Sequence, residues 1–234
     1  MRLSPLIVSA LIYAATATPA SADVTLRLKG SGQMFDGPVA EDLTVYRKGL
    51  KVRTDSTSNG VSLTTIIDLD TDRSILLWHH SKTAEVIDRS QIAELISRDR
   101  VPAVRPTITP TTQTRHIAGS TCLVYHIKGT YPRPKLDMLP PTMVSEGTVC
   151  LVKNGPGQAD FTAFYQAGGK SDEPFDPSLG VPFAMEMTIG FRGDEPTSPL
   201  MDAGTFRTEV ISVSTAPIPD SMFEIPVDYK IIKR

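Results

Sequence analysis

Val181-Pro182-Phe183-Ala184-Met185-Glu186-Met187-Thr188-Ile189-Gly190-Phe191 decides the fold class, because apolar side chains fall on every second position. Val181, Phe183, Met185, Met187, Ile189 and Phe191 take one face of a strand. Pro182, Ala184, Glu186, Thr188 and Gly190 take the other. Outward from this stretch the same period recurs. Residues 206–213 give the last long strand, and the chain closes with Met222-Phe-Glu-Ile-Pro-Val-Asp-Tyr-Lys230.

Towards the N-terminus, residues 168–180 read as a loop and 160–166 as a strand. Residues 147–153 and 116–130 form two apolar strands that each carry a cysteine. Residues 101–113 hold three prolines among threonines and no period, which predicts a loop or an irregular edge. Ile92, Leu95 and Ile96 have helical spacing behind Ser90 as an N-cap, so a helix is expected over 90–98. Before it comes a meander. Val24, Leu26 and Leu28 alternate with polar neighbours, followed by Leu43 and Val45, Leu50 and Val52, and Val61, Leu63, Thr65, Ile67 and Leu69. Asp70-Thr71-Asp72 then turns the chain into residues 75–78, and residues 83–87 continue it. About ten strands with little helix predict a mainly β protein built on a large antiparallel sheet, curved or closed.

Residues 1–22 read as a cleavable secretory signal. Arg2 supplies the positive end, residues 3–15 the apolar stretch, and Ala20-Ser21-Ala22 the small residues that place the cut after Ala22. The apolar run is shorter than the roughly 20 residues a bilayer span requires. The expected organisation is therefore a signal peptide over 1–22 and a single β-rich domain over 23–234, working in the periplasm. The whole chain has 24 basic and 26 acidic residues. That near balance argues against nucleic acid and acidic membrane surfaces as partners, since both demand a marked excess of Lys and Arg. Cys122 and Cys150 are the only cysteines. In an exported chain they are expected to form one disulfide.

Three motifs invite chemistry and fail on their residues. Asp68-Leu-Asp70-Thr-Asp72 resembles the start of a calcium loop, but Arg73 stands where the sharp turn needs glycine and His79 where a bidentate glutamate is required. His79 and His80 are adjacent, so on a strand they point to opposite faces; a zinc site would need one of them beside His116 or His126. Gly30-Ser-Gly32 lacks the strand-to-helix setting of a nucleophile or phosphate loop. No catalytic residue, metal or cofactor is expected, and the protein is read as a non-enzyme.

What remains is the apolar face of 181–191, together with methionines at 34, 138, 143, 185, 187, 201 and 222. Methionine and phenylalanine adapt to greasy partners of variable shape. The expected ligand-binding set is Val181, Phe183, Met185, Met187, Ile189 and Phe191, joined by Leu63, Ile67 and Trp78.

Val45-Tyr46-Arg47-Lys48-Gly49, Val52-Arg53-Thr54-Asp55, Thr65-Ile66-Ile67-Asp68-Leu69 and the Lys82-Thr83 hairpin resemble the opening of the periplasmic lipoprotein-carrier superfamily, the Lol carriers and their relatives. Gly119-Ser-Thr-Cys122 with Tyr125, Thr148-Val-Cys150-Leu151, and Phe223-Glu-Ile-Pro226-Val-Asp-Tyr229-Lys230 resemble one uncharacterised branch of it, a domain of unknown function. The resemblance implies an unclosed half-barrel, a curved antiparallel sheet with one or a few short helices on its concave side, which carriers use to hold acyl chains. The chain has fewer clear helices than a carrier's lid, and Arg47 and Arg53 lie in the stretch of the carriers' gating arginine without either one matching it. The resulting expectation is a periplasmic binding protein for a lipid or the acyl part of a lipoprotein. The alternative is an envelope interaction or sensor module that docks a protein partner through loops 98–113 and 131–145.

Overall fold

The computed structural model describes residues 23–34, 37–88, 106–132, 142–167, 176–192 and 201–233. Among these, twelve strands form one sheet: β1 (Val24–Met34), β2 (Gly37–Lys48), β3 (Lys51–Ser58), β4 (Val61–Asp68), β5 (Arg73–Trp78), β6 (Thr83–Asp88), β7 (Thr107–Ile117), β8 (Ser120–Pro132), β9 (Thr142–Val152), β10 (Val181–Arg192), β11 (Met201–Ser214) and β12 (Lys230–Lys233). Their order is β12-β6-β5-β4-β3-β2-β1-β11-β10-β9-β8-β7. Every pairing is antiparallel except β12 on β6. The sheet is curved and does not close, since β12 and β7 remain its two edges among the described residues. The expected mainly β, unclosed architecture is the one observed.

Tight turns explain the meander. Positive φ angles at Asn59, Gly60, Asp72, Lys82, Ala118 and Gly119 reverse the chain between consecutive strands. Asp68 Oδ1 accepts from the N–H groups of Asp70 and Thr71 at 3.0 and 3.3 Å, so the carboxylates at 68–72 build the β4–β5 hairpin turn.

One sequence expectation is corrected here. Residues 160–166 form part of a helix, α1 (Gln158–Ala167). Their Phe, Thr and Tyr favour strands intrinsically, but Asn154 and Gly157, both at positive φ, turn the chain off β9 and seat Phe161 in the core. The described part of the proline-rich 101–113 segment is an irregular edge, one of the two forms expected for it: strand β7, with a register break between Pro110 and Thr114. Proline is tolerated there because β7 is an edge strand. The helix expected over 90–98, most of the loop at 131–145 and the signal segment lie outside the described residues.

The core gathers in three places. The largest cluster joins Val24, Leu26 and Val210 to Ile117, Cys122, Val124, Cys150, Val152, Val181, Phe183, Ala184 and Phe161. It lies where the β10–β11 ladder ends at Ala184–Glu209, beyond which β10 stays with β9 and β11 with β1. The predicted disulfide Cys122–Cys150 ties β8 to β9 inside this cluster. A second cluster packs Ile66, Ile75, Leu77 and Ala84 of β4–β6 under Ile218 and Phe223 of the C-terminal segment. A third holds Ile127, Val149, Leu151 and Met187.

Candidate functional site

The strand register builds one shared face across both halves of the sheet, largely apolar but carrying Glu41, Ser56, Thr65 and Thr208 as well. Trp78 stands opposite Leu63, Leu63 opposite Ser56, Ser56 opposite Leu43, Leu43 opposite Leu28, and Leu28 opposite Val210. Antiparallel partners project from the same side, so this row runs along one face from β5 to β11. Further along β4, Ile67 lies on it as well, opposite Val52. Beyond Leu28 the alternation carries on. Gly30 opposes Thr208 and Thr208 opposes Met185; Gly32 opposes Phe206 and Phe206 opposes Met187; Gly204 opposes Ile189. Phe191 follows Ile189 on this side, opposite Met143.

Met185, Met187, Ile189, Phe191, Leu63, Ile67 and Trp78 therefore share a face, whereas Val181 and Phe183 leave it. Pro182 opposes Leu151 and Ala184 opposes Cys150, so Phe183 is the extra residue of a β-bulge that resets the alternation. Val181, Phe183 and Ala184 turn into the disulfide cluster, while Met185 and Met187 join Val149, Leu151 and Ile127. The expectation of one unbroken apolar face from Val181 to Phe191 is corrected accordingly. The two arms of the face are also distinct neighbourhoods, since β4 and β10 are separated by β3, β2, β1 and β11. At ~4.8 Å per strand that is about 24 Å along the sheet.

Along this face Leu43, Leu63, Ile67, Leu76, Trp78, Met185, Ile189 and Phe206 are half-buried, and Met187 and Phe191 are buried. Gly30 makes room for an aromatic ring, because a Cβ there would sit 3.0 Å from Phe206 Cζ.

Helix α1 covers the middle of the face. Phe161 and Tyr165 pack against Val24, Leu26, Val45 and Val210. Gly157, which precedes the helix, lies against Val24; a Cβ there would meet Val24 Cγ2 at 2.8 Å, and its φ of +72° suits glycine. Arg47, opposite Val24 on β2, holds its guanidinium 4.6 Å from the centre of the Phe161 ring and 5.9 Å from that of Phe164. Such cation–π stacking is worth about 2 kcal/mol when desolvated. Beside it, burial pushes the Asp160 carboxyl above its ordinary range, with Asp23 adding to the rise; the Gly49 N–H and Arg47 oppose it. Of the two arginines in the stretch that resembles the carriers, Arg47 is thus the one against the helix.

Arg53 belongs to a different assembly on the opposite face. Its Nε donates to Asp55 Oδ1 at 2.8 Å and its Nη1 to the Met222 carbonyl at 2.7 Å. Thr64, fully buried, donates its hydroxyl to Asp55 Oδ1 at 2.6 Å. Since Asp55 can only accept when ionised, the Thr64 oxygen accepts from His79 Nε2 at 2.9 Å. That tautomer leaves His79 Nδ1 to accept from the Tyr229 hydroxyl at 2.6 Å. This chain clasps the C-terminal segment to the sheet, assisted by Lys48 Nζ on the Ile218 carbonyl at 2.8 Å and by Asp23, which accepts from the Ile218 N–H at 2.6 Å. Tyr229 is 150 residues from His79, so no spacing in the sequence signals the pairing.

Among the described residues the polar surface carries shallow depressions, two of them of about 350 and 380 Å³. One is lined by Lys29, Glu41, Asp42 and Asn59, the other by His126, Lys128, Thr148 and Thr188. His79 is engaged by Thr64 and Tyr229, and His116 by Thr121 at 3.5 Å. Among the described residues no three metal-ligating side chains come together, and no helix is long and apolar enough to cross a membrane.

No protein-family model and no curated protein matches the chain. Solved structures of similar shape include an uncharacterized conserved protein from Thermus thermophilus, with a TM-score of 0.45 and 9% identity over 92% of each chain. PNGF-II matches with a TM-score of 0.43 and 9% identity over 91% of this chain, which spans 32% of that protein. A domain described as an outer membrane lipoprotein-sorting protein, from Vibrio parahaemolyticus, has a TM-score of 0.33 and 6% identity over 88% of this chain and 90% of its own. At these scores the likenesses carry no argument about function, which is read from the chain's own residues.

Proposed function

We propose that this is a non-enzymatic exported binding protein that holds an apolar ligand, a lipid or the acyl part of a lipoprotein, on the face of the sheet shared by Leu63, Ile67, Trp78, Met185, Met187, Ile189 and Phe191. The observation that carries the reading is the register itself, which aligns half-buried apolar side chains from β5 through β1 to β10 on one side. A globular protein normally covers such a surface or uses it. Affinity would come from buried area, at about 25 cal/mol per Å², with the flexible thioethers of Met185 and Met187 adapting to the chain they meet. Helix α1, held by Arg47, would act as the cover that a ligand displaces or slides beneath. The disulfide within the core supports an extracytoplasmic setting.

Trp78 is the only tryptophan of the chain and stands on this face, which makes it an internal reporter. Titrating the mature protein with a brominated fatty acid should quench its emission saturably. Leu63→Asp, at a half-buried position opposite Trp78, should abolish the saturable quenching while the protein stays folded; Met187→Asp should weaken binding at the other arm. Quenching that never saturates, or that survives Leu63→Asp, would remove this face from the site.

A further inference from the structure

The five large apolar side chains that stand exposed among the described residues are not scattered evenly. Three of them, Val227, Ile231 and Ile232, at 105%, 53% and 42% exposure, fall within six positions at one corner of the molecule. They belong to the final turn and to β12, the edge strand of the sheet. This corner is no loose tail. Lys230 N–H donates to the Lys82 carbonyl at 2.9 Å, Lys82 Nζ pairs with Asp228 at 2.8 Å, Tyr229 bonds to His79, and β12 runs in register on β6 from Lys230–Thr83 to Lys233–Val86. A fixed frame thus holds these apolar side chains at the rim of the sheet, with Ile231 and Ile232 on opposite faces of the edge strand.

The charge at the corner is opposite to that of the chain. Lys82, Lys230 and Lys233 against Asp228 and Glu85, the last opposite Ile232, give a local net charge of +1, whereas the whole chain carries −2. Cations interleaved with exposed aliphatic side chains suit a surface that is anionic outside and greasy a few ångströms in. Among the described residues the outer edge of β12 has no strand beside it, and its N–H groups can donate to phosphate oxygens. That unpaired backbone would be costly in hydrocarbon, so contact would be confined to the headgroup layer.

We infer that the C-terminal corner built from Lys82, Val227, Lys230, Ile231, Ile232 and Lys233 is a docking surface for an anionic phospholipid membrane. It lies outside the apolar face that carries the proposed ligand, and the two can be tested apart. The mature full-length chain is sedimented with vesicles of phosphatidylglycerol and phosphatidylethanolamine, and with vesicles of phosphatidylcholine alone. Binding to the anionic vesicles at low salt is expected, at least tenfold above the neutral ones, and should weaken steeply as salt rises. Lys230→Glu with Lys233→Glu should reduce it at least tenfold, and Ile231→Ser with Ile232→Ser several-fold. Quenching of Trp78 by the brominated fatty acid should be unchanged in both variants. Lys230→Gln with Lys233→Gln, a milder change, separates lost charge from a disturbed strand if the Glu variant has a lowered melting temperature. Equal binding to both vesicle types, or binding unaffected by the lysine variants, overturns the inference. So does a dimer of the wild type that Ile231→Ser with Ile232→Ser dissolves, because the corner would then be covered by a second copy.

Discussion

The two halves of the sheet solve one problem by opposite means. In β2–β6 the covered face is closed by the chain's own C-terminal segment, held through hydrogen bonds: Arg53 to Met222, Tyr229 to His79, Lys48 to Ile218. In β7–β11 the disulfide and the Val181–Ala184 bulge close the core, and Arg115 Nη2 spans from β7 to Glu209 of β11 at 2.6 Å. One half is clasped by a reversible polar network and the other stapled. The difference teaches that the stapled half can tolerate lost polar contacts, whereas the clasped half depends on them, and that the apolar face crossing both inherits a rigid arm and a releasable one.

Breaking the staple should have the largest effect. Phe183→Ala empties the space of a fully buried ring and should cost about 3 to 5 kcal/mol. Cys122→Ala with Cys150→Ala opens a cross-link over a sequence separation of 28 and should cost roughly 3 to 4 kcal/mol. Urea unfolding of both variants, with and without reductant, checks this. If wild type plus reductant is as stable as the oxidised protein, the stapled half is held by packing alone.

The clasp should respond less. Tyr229→Phe removes the donor to His79 Nδ1 and should cost about 1 kcal/mol. Thr64→Val interrupts the same chain at Asp55 and His79, and the two changes together should depart from additivity by more than about 0.5 kcal/mol. Hydrogen exchange should show faster opening of residues 218–233 in either variant with β8–β11 unchanged. Additive effects would mean that the bonds act singly.

The smallest effects are those of pH, and two carboxyls should act with opposite sign. The hydrogen bond from Arg207, and after it that from Arg115, holds the Glu209 carboxyl below its ordinary value against the effect of burial. A folded pKa below the unfolded one, about 4.3, gives stability that is present above that pH and lost as pH falls through the lower folded value. With about a third of the side chain in water the contribution stays under roughly 1 kcal/mol. Glu209→Gln should remove this part of the acid loss. Asp160 under α1 is shifted the other way, chiefly by burial. Its folded form holds the proton more tightly, so its ionisation weakens the fold as pH rises from about 3.9 through the raised folded value. Asp160→Asn should flatten that segment of a melting-temperature profile recorded from acid to neutral pH.

The sheet is legible in the sequence because a strand with one buried face writes its period directly into the residues, as in Val24-Thr-Leu-Arg-Leu28 or Val61 to Leu69. The disulfide is legible for a different reason, since two cysteines in strand-like runs leave little choice. The bulge at Phe183 is not, because an extra residue inside an alternating run leaves the alternation on paper intact while resetting it in space. Helix α1 is masked by its own composition, in which Phe161, Phe164 and Tyr165 favour strands until Gly157 and the packing over Arg47 decide otherwise. The candidate site is half legible. Residue type and period select Leu63, Ile67, Trp78 and Met185 to Phe191, but only the register through β1 and β11 puts them on one side, and that register depends on pairings far apart in the chain.

The central claim is that this shared face holds an apolar ligand. The most direct test is native mass spectrometry, with lipid extraction, on the protein purified without detergent from cells that express it with residues 1–22. A stoichiometric adduct of lipid mass, lost on extraction and absent from Leu63→Asp, is the predicted result. A clean unliganded mass that stays unchanged when lipid is added back would contradict it.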